Sequence, residues 1–94
     1  MKMAIIGLDS AVPELIFGRW RDELPHLRHL MEAGASGRLE SVHPPITVPA
    51  WACMMTSKDP GQLGIYGFRN RADYSYERMI IANSNSIREA AVWD

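Results

Sequence analysis

Three prolines within six residues, Pro44, Pro45 and Pro49, constrain this chain more than any other feature. Each removes a backbone donor and fixes φ, so any strand leading into Pro44-Pro45 has to stop there. Pro49 then suits the first turn of a helix, where a missing N–H is tolerated. Between them stands Thr47, a hydroxyl at an expected helix start. As an N-cap it would lie among unpaired amides at the positive end of the helix, a setting suited to an anion, although capping alone also explains a threonine there. From Val48 to Met55 the chain reads Val-Pro-Ala-Trp-Ala-Cys-Met-Met, apolar on every side of the helix, which is the pattern of a helix in the middle of a larger protein.

The run Ala4-Ile5-Ile6-Gly7-Leu8-Asp9 has the pattern of a strand covered on both faces, as in the parallel sheet of an α/β protein. Ligands in such folds collect beyond the carboxyl ends of the strands, where Asp9 would sit. A simple turn or cap is the other reading of an aspartate there. Thr47 and Asp9 together point further than either alone. A threonine hydroxyl is a weak nucleophile at neutral pH and needs a base or a metal to activate it, and a hard oxygen ligand such as Asp9 could help hold that metal.

The remaining organisation follows the same α/β reading. Pro13-Glu14-Leu15-Ile16 opens a short helical stretch that Gly18 weakens. Leu24, Leu27, Leu30 and Met31 then fall at helical spacing, with Pro25 near the start and Gly34 past the end. His26 and His29 could share a face of that helix, but no carboxylate motif joins them, and exposed histidines are the preferred reading. Ser36 to Val42 is a half-buried strand candidate, and His43 after it is a weak candidate base for Thr47. Asp59-Pro60-Gly61 is a turn signal, and Gly64-Ile65-Tyr66-Gly67-Phe68 reads as a loop with aromatic anchors. Met79 to Ala82 is a third strand candidate. Ser86-Ile87-Arg88-Glu89 matches a capping box opening a terminal helix that Asp94 cuts short, so the chain is expected to be part of something larger.

Charge and cysteine usage narrow the partners. A formal net charge of −1 with interspersed signs gives no reason to expect a nucleic-acid polymer or an anionic membrane, apart from the local cluster Arg69, Arg71 and Arg78. The few apolar residues before Asp9 are too short for a secretory or membrane-spanning segment, so a cytoplasmic location is expected. Cys53 is the sole cysteine, which excludes an internal disulfide, and its apolar neighbours predict a buried, inert thiol.

Taken in order, Ala4 to Asp9, Pro25-His26-Leu27-Arg28-His29-Leu30 with Gly34, Pro44-Pro45-Ile46-Thr47-Val48-Pro49-Ala50-Trp51, and Asp59-Pro60-Gly61 with Gly64-Ile65-Tyr66-Gly67-Phe68 resemble the N-terminal part of the type I phosphodiesterase/nucleotide pyrophosphatase family, within the alkaline phosphatase superfamily. The resemblance implies an α/β fold in which residues 1–94 form the N-terminal portion of an alkaline-phosphatase-like domain, with a mostly parallel sheet flanked by helices. It implies a hydrolase acting on small-molecule phosphoesters with two divalent metal ions, zinc or alternatively manganese. Asp9 matches the family's first metal ligand, and Thr47 matches the nucleophile, which also contacts the metals.

A catalytic zinc takes three protein ligands, so two need about six. Asp9 and Thr47 fall short of that, and the isolated chain is expected to bind zinc weakly and to be inactive. Ala50 stands where nucleotide pyrophosphatases often carry an asparagine that donates to a phosphoryl oxygen, and Leu63 stands where many relatives have histidine. These departures bring the chain closer to the phosphohydrolase or phosphomutase branch. Trp51 could stack on a leaving group, with burial in the helix as its default role. The alternative from another class is a noncatalytic α/β module that forms a homo-oligomer, or docks on a partner chain, through exposed apolar surface.

Overall fold

The computed structural model describes residues 2–94. The chain divides into two compact units, Met1–Leu39 and Glu40–Asp94.

In the first unit the described residues form no strand. Ala4 to Asp9 is irregular, and Ile5, Ile6 and Leu8 are exposed, Ile6 at 82%. The expectation of a buried strand fails for a physical reason. An apolar run becomes a covered strand only when neighbouring strands satisfy its backbone and its side chains, and the described residues of this unit supply none. Ser36 to Val42 likewise forms no strand, and Leu39 is exposed.

Helices account for the rest of this unit. A wide helical turn, Glu14–Arg19, follows Pro13 and closes with the Trp20 amide donating to the Leu15 carbonyl at 2.8 Å. The helix expected around Leu24 to Met31 is present as α1, Pro25–Ala33, with proline in its first turn and the Gly34 amide closing onto the Leu30 carbonyl at 2.9 Å. Leu27 and Met31 are half-buried, whereas His26 and His29 are exposed, as the sequence predicts.

The second unit is built on α2, Thr47–Thr56. Its buried residues are Pro49, Ala52, Cys53 and Thr56, the i, i+3, i+4, i+7 stripe of a one-faced helix. Met54 is exposed, so α2 is not buried all round despite its composition. The helix ends at Ser57, whose backbone is left-handed at φ 57° and whose amide closes onto the Cys53 carbonyl at 2.9 Å.

The turn signal at Asp59 is the cap of a one-turn helix, α3, Pro60–Leu63. The Asp59 carboxylate accepts from the Gln62 amide at 2.8 Å, and the Gln62 side chain accepts from the Asp59 amide at 3.0 Å. Gly64 then turns the chain at φ 67°, the left-handed region that glycine enters without a Cβ penalty.

In the following loop the anchors are not the aromatic residues. Tyr66 and Phe68 are exposed, while Ile65, 3% exposed, and Asn70 are buried. The Asn70 side chain accepts from the Tyr66 amide at 2.8 Å and donates to the Gly67 carbonyl at 3.0 Å, tying the loop to β1, Arg69–Arg71. β1 pairs antiparallel with β2, Met79–Ile81, with Arg69 opposite Ile81 and Arg71 opposite Met79.

This two-stranded ribbon is the only sheet among the described residues, in place of the mostly parallel sheet that was expected. The architecture is a small α/β arrangement of helices with one antiparallel ribbon. The terminal helix expected from Ser86 is absent as well. Asn83 and Ser86 form the reciprocal cap of a short turn, Ser84–Ser86, after which the chain is irregular, and the Val92 amide donates to the Met55 carbonyl at 2.9 Å.

Candidate active site

Pro44 and Pro45 bring the chain to α2 through a tight turn in which the Ile46 amide donates to the Pro44 carbonyl at 2.9 Å. The first helical hydrogen bond runs from the Ala50 amide to the Ile46 carbonyl at 3.0 Å. Ile46, in extended conformation, is therefore the N-cap, and Thr47 is the first residue inside the helix. The sequence had placed Thr47 one position earlier. Ile46 holds the extended backbone typical of a cap residue, which leaves Thr47 as the first helical residue.

That shift of one residue changes what the hydroxyl does. No side chain caps α2, so the Thr47 hydroxyl is not engaged in a capping bond. The amides of Thr47 and Val48 precede the first helical bond and have no acceptor within the helix, and Pro49 has no N–H at all. A half-buried hydroxyl thus stands beside two amide donors at the positive end of a helix dipole. The arrangement suits a nucleophile whose target carries negative oxygens.

Thr47 also lines a cavity of about 540 Å³, walled by Trp51 and Met55 from α2 and by Ile87, Ala91 and Trp93 from the C-terminal stretch. The bond from Val92 to the Met55 carbonyl holds that stretch against the helix. Trp51 is half-buried and faces this cavity, so it is available to a bound group. Two carboxylates also border the cavity. Glu89 pairs with Lys58 at 3.7 Å, and Asp94 accepts from the Ala91 amide at 2.7 Å. Sequence reasoning did not connect Trp93, Glu89 or Asp94 with Thr47. They lie more than forty residues away in the chain, and no local pattern joins them.

Asp9 belongs to the first unit, at a turn just before Ser10, and is exposed. His43 is exposed and is not among the residues lining the cavity with Thr47. Cys53 is buried, and burial followed by the negative charge of Asp59 pushes its thiol up, which fits an inert cysteine.

A two-metal centre is the expected cofactor of the resemblance, and the residues present do not make one. Among the described residues no group of three or more His, Cys, Asp or Glu side chains is placed to hold a metal ion. None of the described helices is long and apolar enough to cross a membrane.

The sequence model of the type I phosphodiesterase/nucleotide pyrophosphatase family matches residues 3–94. No curated protein and no solved structure matches the chain.

Proposed function

The chain belongs to the type I phosphodiesterase/nucleotide pyrophosphatase family, and from that membership we infer that it carries Thr47 as the nucleophile of a hydrolase acting on small-molecule phosphoesters. The observation that carries this reading is the half-buried Thr47 in the first turn of α2, inside the cap rather than at it, beside two amides without helical acceptors. In the reaction the Thr47 oxygen forms a bond to phosphorus while the bond from phosphorus to the leaving alkoxide breaks. The hydroxyl proton is lost, the leaving oxygen gains one, and water later releases the phosphoryl group from Thr47. The Thr47 and Val48 amides lie where they would hold phosphoryl oxygens as charge builds on them. Ala50 offers no side-chain donor for that task.

The family is metal-dependent, and zinc with Asp9 as a ligand is the expectation the resemblance brings. On the resemblance, the reading further assigns residues 1–94 to the N-terminal segment of an alkaline-phosphatase-like domain, whose other metal ligands would lie outside them. Two comparisons test this with bis(4-nitrophenyl) phosphate and zinc. The 94 residues alone give no hydrolysis above buffer. The same residues joined to the C-terminal part of a catalytic domain of this family, which brings the remaining Asp and His ligands, give hydrolysis that Thr47→Ala abolishes and Thr47→Ser partly keeps. Turnover unaffected by Thr47→Ala removes the nucleophile assignment.

A second reading, self-association of a noncatalytic module, is favoured by the exposure of Ile6, Leu39, Ile81 and Trp93. A discrete oligomer of the 94 residues in light scattering supports it, and a monomer argues against it.

A further inference from the structure

The β1–β2 ribbon carries a second chemistry that the Thr47 reading does not use. Arg69 and Arg71 are two residues apart on β1 and share its outer face, while Asn70 between them is buried. The register places Ile81 and Met79 across from them, so cationic and apolar side chains alternate on one exposed face. A cleft of about 550 Å³ lies beside it, lined by Tyr66, Arg69, Arg71, Asp73, Tyr74 and Met79 among others.

Arg71 is held by its own loop, with the Asp73 carboxylate close enough for the two charges to interact. One guanidinium nitrogen, Nη1, donates to the Tyr74 carbonyl at 3.3 Å, and the group lies 4.9 Å from the centre of the Tyr76 ring. Most of its donors remain free, and no carboxylate pairs with Arg69 or Arg71 among the described residues. The acidic group of the cleft is already engaged. Asp73 pairs with Arg78 at 3.5 Å, and hydrogen bonds from Ser75, with a smaller contribution from the charge of Arg71, hold its carboxyl below the usual carboxylate range.

We propose that this cleft binds a phosphate ester of an aromatic alcohol, with Arg69 and Arg71 on the phosphate and the half-exposed Tyr66 and Met79 against the ring. A planar guanidinium matches two phosphate oxygens at once, and holding Arg71 beforehand lowers the entropy lost on binding. The apolar and aromatic walls would be idle with a bare phosphate. The proposal concerns a site separate from Thr47 and does not depend on the nucleophile assignment.

Titration of the isotope-labelled 94-residue chain with phenyl phosphate and, separately, inorganic phosphate tests it by NMR. The expected result is movement of the resonances of Arg69, Arg71 and Tyr66, with phenyl phosphate binding about five- to tenfold more tightly than phosphate. Arg69→Ala and Arg71→Ala each weaken phenyl phosphate by about tenfold, and Arg71→Lys weakens it although the charge is kept. Thr47→Ala leaves these shifts unchanged, which separates this site from the nucleophile. Equal affinity for the two ligands, shifts confined to α2, or arginine variants that bind like the parent would each overturn the proposal.

Discussion

The Ala50 amide bonds to the carbonyl of Ile46 at 3.0 Å, and this one bond makes Ile46 the cap of α2 and leaves Thr47 just inside the helix. A threonine at the cap would be explained by helix stability. Thr47, one residue later and with no capping bond, is not.

Thr47→Ala should therefore change folding stability little, within about 0.5 kcal/mol, where loss of a capping threonine costs about 1 kcal/mol. Urea denaturation of the two proteins checks this. A loss above about 1 kcal/mol would return Thr47 to a structural role.

Asn70 serves the opposite purpose. It is buried, and its side chain joins the Tyr66 amide to the Gly67 carbonyl. Asn70→Ala leaves both backbone groups without that partner and should cost about 1–3 kcal/mol, measured by the same denaturation. Amide exchange in residues 65–71 should accelerate with it.

Ser57 ends α2 in a left-handed conformation at φ 57°, where a side chain is strained. Ser57→Gly should raise stability by about 0.5–1 kcal/mol, seen as a higher urea midpoint. An unchanged or lower midpoint means that the glycine's greater freedom in the unfolded chain outweighs the relieved strain.

Cys53 gives a dependence on pH. Burial, and then the charge of Asp59, raises its thiol pKa in the folded protein above the ordinary 9.0. The folded state thus keeps a proton that the unfolded state loses. The contribution is fully present below about pH 9 and is lost as pH rises through the folded value. The stability advantage of the parent over Cys53→Ala should shrink over the range from about pH 9 up through the folded value. Alkylation of native Cys53 should be slow throughout the lower part of that range, because the thiolate is the reactive form.

Local patterns in the sequence were legible where a few neighbouring residues decide the outcome. Pro25 and Gly34 bound α1, and Met79 to Ile81 forms a strand. Partner-dependent features were not legible. The Ala4 to Leu8 run signals burial on both faces but cannot state what would cover it, and here it is exposed. α2 reads as apolar throughout, yet only the stripe from Pro49 to Thr56 meets the core of its unit. Thr47 was recognisable from its proline frame. Its helical position depended on the extended backbone at Ile46, which no following proline restrains, and Trp93 and Glu89, which line the same cavity, come from a distant stretch with no shared motif.

The most direct measurement looks for the covalent intermediate on Thr47. Zinc-supplied protein carrying the complete ligand set is mixed with an aryl phosphodiester, quenched in acid within one turnover, and mapped by peptide mass spectrometry. The account predicts an aryl phosphoryl group, with one ester arm of the substrate retained, on the peptide containing Thr47, absent from Thr47→Ala. Hydrolysis that continues in Thr47→Ala, or an adduct on any other residue, would contradict it.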